Sequence, residues 1–272
     1  MLDMEDGTMP IFTGYVTETG NVKANKSLGQ HWLKDPVILD KIVDLAELSK
    51  KDNVLEIGPG TGNLTLKLIK KCHVIAVEVD PVLSQMLIDL KLEDFEIYNE
   101  SILKFDFSKL PKEYKIVANI PYYLTSNLIR ILADLDNKPA KTILLVQKEI
   151  AERLSAGPKD YSVLGLIAQY YFNVYKGPFV RRDLFEPIPK VDSMIVILEP
   201  KKNLPLNKSD SQKLFKLIKV AFSSKRKTLQ NNLKNVYKNE IPVSLEKLKL
   251  NPKIRAQELS LDTWIKLFNL LH

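Results

Sequence analysis

Asn119-Ile120-Pro121-Tyr122 brings a carboxamide, a proline-fixed backbone and an aromatic ring together directly after the apolar run Ile116-Val117-Ala118. That order describes a strand running into a pocket, because open α/β sheets bind ligands beyond the carboxyl ends of their strands. The trio suits gripping a flat, amine-bearing ring. An amine on such an aromatic ring is a poor nucleophile, since its lone pair is delocalised into the ring. Acceptors aimed at both amine hydrogens, from the Asn119 side-chain oxygen and the Ile120 carbonyl, favour a pyramidal nitrogen in the transition state. Pro121 fixes the backbone that aims the second acceptor, and Tyr122 can stack on the base. Asn-X-Pro is also a common turn opener, so the rest of the chain has to support this assignment.

Support comes from Gly58-Pro59-Gly60-Thr61-Gly62, which lies between an apolar strand pattern and a helical one. Glycine lets backbone approach a ligand closely because no Cβ stands in the way. Glu78 ends the next strand pattern, 20 residues beyond Gly58. At about this spacing an acidic side chain accepts hydrogen bonds from ribose hydroxyls. The loop is neither the Gly-x-Gly-x-x-Gly of dinucleotide enzymes nor a Gly-Lys-Ser/Thr phosphate loop. With Glu56 upstream, Glu-Ile-Gly-Pro-Gly-Thr-Gly resembles the S-adenosylmethionine loop of the methyltransferase superfamily.

The elements that must position these groups alternate. Strand patterns at Val54–Ile57, Val74–Val77, Phe95–Tyr98, Ile116–Asn119 and Thr142–Val146 are separated by helical patterns. Asp35-Pro36 and Pro81 open two of these helices, an N-cap with proline at the first helical position in the former case. Two more extended runs, near Val174–Val180 and Met194–Leu198, bracket Phe185-Glu186-Pro187-Ile188-Pro189. The alternation predicts a doubly wound, mostly parallel α/β sheet of seven strands with helices on both faces. Composition shifts at Glu199-Pro200-Lys201-Lys202, and beyond it only helical stripes appear, such as Leu214, Leu217, Ile218 and Ala221. The expected division is a weakly ordered leader over 1–25, a catalytic domain over 26–200 and a small all-helical domain over 201–272.

The whole chain bounds the function classes. It has 272 residues, 45% hydrophobic and 27% charged, and no apolar run near the roughly 20 residues of a membrane span. The segment before Lys23 is acidic, unlike a secretory or transit peptide. Cys72 is the only cysteine, and His31, His73 and His272 are scattered, which leaves no disulfide and no cysteine-based metal site. A soluble cytoplasmic protein without a metal is expected. The net charge of +7 favours a polyanionic partner such as nucleic acid.

Six separated stretches then fall in the order of one family. They are Ser27-Leu28-Gly29-Gln30-His31-Trp32-Leu33, the glycine loop, Asn-Ile-Pro-Tyr, Gln147 to Arg153, Phe185-x-Pro187-x-Pro189-Lys190-Val191-Asp192-Ser193, and Phe222 to Leu229 with Lys225-Arg226-Lys227. Together they resemble the rRNA adenine N6-dimethyltransferases, and the last three resemble the KsgA-type small-subunit enzymes more than the resistance enzymes that modify large-subunit rRNA. The resemblance implies a Rossmann-like methyltransferase fold that dimethylates N6 of two adjacent adenosines near the 3′ end of small-subunit rRNA, in an immature subunit; a monomer is expected. It implies S-adenosylmethionine as cofactor, with Gln30, His31 and Leu33 closing over it. Gly58 and Gly60 would approach its methionine part, Glu78 would bind its ribose, and Asn119 would border both cofactor and base. It also implies Phe185 as a second aromatic face opposite Tyr122. A large-subunit enzyme and a non-catalytic assembly factor are the alternatives.

One position departs from the family pattern. An acidic residue usually follows the third strand and contacts the cofactor's adenine amine, whereas Ser101 stands here, beside Glu100. A hydroxyl accepts that hydrogen bond without charge. For RNA, Arg181, Arg182 and Lys190 beside the Phe185 loop and Lys225, Arg226 and Lys227 further on are the expected phosphate contacts.

Overall fold

The structure is a computed structural model that describes residues 23–272. The expected leader lies outside the described residues except for its last three. Among these, Asn25 donates its backbone N–H to the Gln30 side chain at 2.7 Å.

Nine strands are present among the described residues: β1 (Trp32–Leu33), β2 (Asn53–Ile57), β3 (His73–Val77), β4 (Phe95–Tyr98), β5 (Lys115–Asn119), β6 (Lys141–Gln147), β7 (Phe172–Val180), β8 (Phe185–Glu186) and β9 (Ser193–Pro200). Seven of them form one sheet in the order β4-β3-β2-β5-β6-β9-β7. β2 to β6 run parallel, and β9 is antiparallel to both β6 and β7. The seven-strand expectation holds. The chain winds outward from β2 to β4 and then returns to lay β5 against the other side of β2. That reversal opens a crevice at the carboxyl ends of β2 and β5, where the glycine loop and Asn119 emerge.

Alternation along the strands explains why both sheet faces are covered. Leu55, Ile57, Ile75, Val77, Ile116 and Ala118 join one buried cluster, while Val54, Val74 and Val117 join another on the opposite face. The covering helices are α1 (Pro36–Leu45), α2 (Thr65–Leu68), α3 (Pro81–Asp89), α4 (Thr125–Asp134), α5 (Lys148–Leu154) and α6 (Val163–Tyr171). Asp35 caps α1 by accepting from the Ile38 N–H, and Asp80 caps α3 by accepting from Val82, with proline next in both. The helix after the glycine loop is only four residues long and starts three residues beyond Gly62, whose backbone is left-handed (φ +85°).

The chain beyond Pro200 is helical, with α7 (Lys208–Ala221), α8 (Leu229–Leu233), α9 (Glu240–Lys247) and α10 (Leu261–Leu271). Its core is not closed on itself. Helix α6 turns Leu164 and Ala168 toward the sheet and Leu166 and Tyr170 into the helical cluster around Trp264. The Tyr170 hydroxyl meets Ser211 Oγ at 2.7 Å and its ring stands edge-on to Phe215. No described helix is long and apolar enough to cross a membrane.

Candidate active site

A cleft open to solvent occupies the crevice between β2 and β5. One wall is the glycine loop. Gly58 and Gly60 both have left-handed backbone, at φ +65° and +59°. A Cβ on Gly58 would project into the cleft and meet only Pro121 Cδ at 3.8 Å, whereas one on Gly60 would strike the Trp32 indole at 2.9 Å. Glu78 lies beneath, buried, with its carboxylate accepting from the Gly60 N–H at 3.1 Å and the Asp80 N–H at 2.9 Å. Burial pushes this carboxyl above its ordinary range, and those N–H groups pull it back down.

Glu56 shares this floor and went unassigned at the sequence level. It is buried, accepts from Thr65 Oγ1 at 2.7 Å and lines the cleft. Desolvation pushes its pKa up to about 8, the Thr65 bond opposes this, and the nearby Glu78 charge adds to it. The visible signal was an acid at an inward position of an otherwise apolar strand. Asp80 is a second omission, since it receives the Gln30 side-chain amide at 3.0 Å as well as capping α3. Gln30 thereby bridges Asn25 to the start of α3 at the edge of the cleft. Trp32 also lines the cleft, with a buried Nε1 that has no hydrogen-bond partner among the described residues.

The opposite wall is the tetrapeptide. Asn119 ends β5, and its Nδ2 donates to the His31 carbonyl at 3.0 Å, which leaves the amide oxygen as its acceptor. Ile120 is buried and Pro121 follows at φ −53°. A single tight helical turn, Tyr122–Leu124, then places Tyr122 at the cleft, its hydroxyl bonded to Ser193 Oγ at 2.8 Å. Burial raises the Tyr122 pKa. Thus Gln30, His31, Leu33, Gly58, Gly60, Glu78, Ser101, Asn119, Ile120, Pro121 and Tyr122 all line one cleft. Ser101 Oγ accepts from the Leu103 N–H at 3.3 Å, while Glu100 at the rim pairs with Lys109 at 3.5 Å.

Phe185 is the exception. The short antiparallel pair β1–β8 sets Leu33 opposite Phe185 and Trp32 opposite Glu186. Neighbouring strand residues face opposite ways, and Phe185 takes the inward side. Its ring is 3% exposed, packed with Leu33, Val180 and Ile195 beneath the sheet, and is not among the cleft-lining groups. The expected second aromatic face is therefore absent from the cleft at this residue. Among the basic residues, Arg181 is ion-paired with Asp183, and the Arg182 guanidinium donates to the Lys190 carbonyl at 3.2 Å. Arg181, Arg182, Lys190, Lys225, Arg226 and Lys227 are all exposed. No cluster of metal-ligating side chains is found among the described residues.

The sheet order, the glycine loop followed by an acid at the end of the next strand, and the Asn-Ile-Pro-Tyr wall define a Rossmann-like methyltransferase. The profile described as "Ribosomal RNA adenine dimethylase" matches residues 21–272. The chain belongs to the ribosomal RNA adenine dimethylase family. It is 40% identical to "Ribosomal RNA small subunit methyltransferase A" of Nostoc sp. over 92% of this chain and 98% of that one. The protein of the same name from Mycoplasmopsis pulmonis is 39% identical over 91% and 98%. Among solved structures, a dimethyladenosine transferase from Plasmodium falciparum superposes with a TM-score of 0.71 at 32% identity, covering 86% of this chain and 95% of its own. The 23S rRNA methyltransferase ErmE superposes with a TM-score of 0.71 at 25% identity, over 88% and 99%.

Proposed function

We propose that this enzyme dimethylates N6 of two adjacent adenosines near the 3′ end of small-subunit rRNA, acting as a monomer on an immature subunit in the cytoplasm, with S-adenosylmethionine as methyl donor. The observation that carries this is the fixed Asn119 amide, anchored through Nδ2 to the His31 carbonyl so that an acceptor remains at the cleft beside a ribose-type site. Residues 26–200 serve as the methyl-transfer unit and residues 201–272 as the RNA-binding unit.

The cleft fits the donor. Left-handed glycines make a cradle that a side chain at Gly58 would fill, and Glu78 offers lone pairs to vicinal hydroxyls. When bound, S-adenosylmethionine supplies an electrophilic methyl on a sulfonium. The protein's part is to orient and polarise the amine: Asn119 Oδ1 and the Ile120 carbonyl accept its hydrogens, and Tyr122 stacks on the extruded base. Water takes the released proton without a general base. Gln30, His31 and Leu33 border the donor side, and Ser101 accepts from its adenine amine.

Arg182, Lys190 and the Lys225-Arg226-Lys227 turn contact phosphates, and Arg181 joins them when released from Asp183. Changing Lys225, Arg226 and Lys227 to Ala should flatten the slope of log affinity against log salt by about two, at roughly 0.7 per single-strand phosphate contact. An unchanged slope would remove this turn from the interface.

The direct test is transfer of a radiolabelled methyl group to unmethylated small and large ribosomal subunits, followed by nucleoside mass spectrometry. N6,N6-dimethyladenosine in small-subunit rRNA is the expected product. Label in large-subunit rRNA would assign the ErmE-like substrate instead, and no label would leave an assembly factor.

A further inference from the structure

Ser193 anchors the Tyr122 hydroxyl at 2.8 Å, and the sheet continues one strand beyond it. That edge strand is β7, with Val180 paired to Ser193 and Phe179 to Met194. Val180 is buried beside Phe185, so alternation turns its neighbour Phe179 to the other face. There Phe179 is 46% exposed, on a strand one spacing, about 5 Å, past the anchor of the base wall. Its ring carries a cation, because Lys148 Nζ stands 5.8 Å from the centroid. Lys148 opens α5 and is fixed to the same rim, its N–H donating to the Asp192 carbonyl at 3.0 Å.

An exposed aromatic at a sheet edge can meet either another strand or a flat ring laid on it. This edge is closed to a strand. The register shifts between Lys176 and Phe179, and Pro178 has no N–H to offer. Gly177 lets the irregular stretch settle against β9, where a Cβ would come within 3.1 Å of Ile195. Bulges and prolines of this kind blunt sheet edges. Charge favours nucleic acid instead: Lys148, Lys176, Arg182 and Lys190 are exposed on the segments that meet here. The acids among them are already engaged, Asp183 by Arg181, Glu186 by Lys34 and Glu152 by Lys148. The last pair, 3.7 Å long and exposed on both sides, is weak enough for a phosphate to replace.

We propose that Phe179 and Lys148 form a stacking platform for an unpaired rRNA base flanking the target adenosine. The proposal rests on the adenine-methylating function stated above and adds a second grip on the strand whose target base has been extruded. The flanking base takes the place of the ammonium on the ring, and the ammonium turns to a phosphate of the same strand. An aromatic face beside a cation holds single strands without reading their sequence.

The test measures steady-state methylation of unmethylated small subunits together with calorimetry of S-adenosylhomocysteine. Phe179→Ala should raise KM for subunits about tenfold, equivalent to about 1.4 kcal/mol and the size of one stacked base. Its kcat at saturating subunits and its S-adenosylhomocysteine affinity should stay within twofold of wild type. Phe179→Trp, which keeps a stacking face, should hold KM at or below the wild-type value, and Phe179→Leu, apolar but not aromatic, should be as impaired as Phe179→Ala. Lys148→Gln should lower the slope of log affinity against log salt by roughly 0.7, one single-strand phosphate contact. An unchanged KM in Phe179→Ala would overturn the proposal. So would full rescue by Phe179→Leu, which would mean apolar contact with a ribosomal protein, or a salt slope unmoved by Lys148→Gln. If the wild-type enzyme labels no small subunits, the functional assignment fails before the question of Phe179 arises.

Discussion

The two walls of the cleft are made in different ways. The floor of the donor wall is local: the Gly60 N–H meets a carboxylate 18 residues away, and the loop and both acids belong to consecutive strand–loop–helix units. The base wall is assembled from afar. Asn119 reaches His31 across 88 positions, Tyr122 reaches Ser193 across 71, and His31 reaches Pro187 across 156. A wall built from neighbours is written in short motifs, whereas one built by chain closure depends on which way each distant residue turns when it arrives.

Phe185 is where this difference can be broken most forcefully. If its ring belongs to the core, Phe185→Ala should cost about 3–5 kcal/mol of stability, as for other buried Phe truncations, visible as a lowered urea midpoint. A stable variant that has lost only base stacking would instead put Phe185 in the slot and erase the contrast between the walls.

Asn119→Ala probes the base wall by its chemistry. Removing one preorganised acceptor should lower kcat by about 10²–10³, equivalent to roughly 3–4 kcal/mol, while subunit binding is retained. It also cuts the tie to the His31 carbonyl. Full activity would show that the amide does not polarise the amine.

These outcomes bear on what was legible in the sequence. The strand order could be anticipated because short hydrophobic runs alternated with helical periodicity, and Gly58, Gly60 and Glu78 could be placed because strand ends fix where the following residues emerge. Asn119 to Tyr122 followed from the same rule. Phe185 could not be placed, because its direction is set by a two-residue antiparallel pairing with Leu33 that no periodicity reveals. Likewise, the apolar stripe of α6 did not announce that it serves two cores at once, since both of its faces are simply hydrophobic.

Glu56 sharpens the account of the donor wall through pH. Its carboxyl sits at about 8 in the folded chain against 4.5 ordinarily. Between those values the folded chain holds a proton that the unfolded chain has lost, so stability falls as pH rises across that window and levels off above it. Glu56→Gln lacks this dependence. Its stability relative to wild type should therefore improve from pH 5 to pH 8, by on the order of 2 kcal/mol, since each tenfold difference in proton affinity between folded and unfolded chain is worth at most about 1.4 kcal/mol. Denaturation profiles that run parallel across this range would show that Glu56 is not the buried acid that titrates.

Ser101 offers the smallest change and tests whether the donor wall is complete without a charge after β4. Its hydroxyl lines the cleft and accepts only weakly from Leu103, at 3.3 Å. A carboxylate in its place would make a charge-assisted bond to the donor's adenine amine, about twice as strong as the neutral one. Ser101→Asp should tighten S-adenosylmethionine binding about fivefold, near 1 kcal/mol, by calorimetry. Glu100 next to it limits the gain, because a second negative charge nearby opposes the first even though Lys109 offsets part of it. Glu100→Gln separates the two residues. If Ser101→Asp gains nothing and Glu100→Gln loosens the cofactor, Glu100 leaves Lys109 to serve the amine. If Glu100→Gln is neutral, the hydroxyl of Ser101 is the acceptor and the wall works without a charge there.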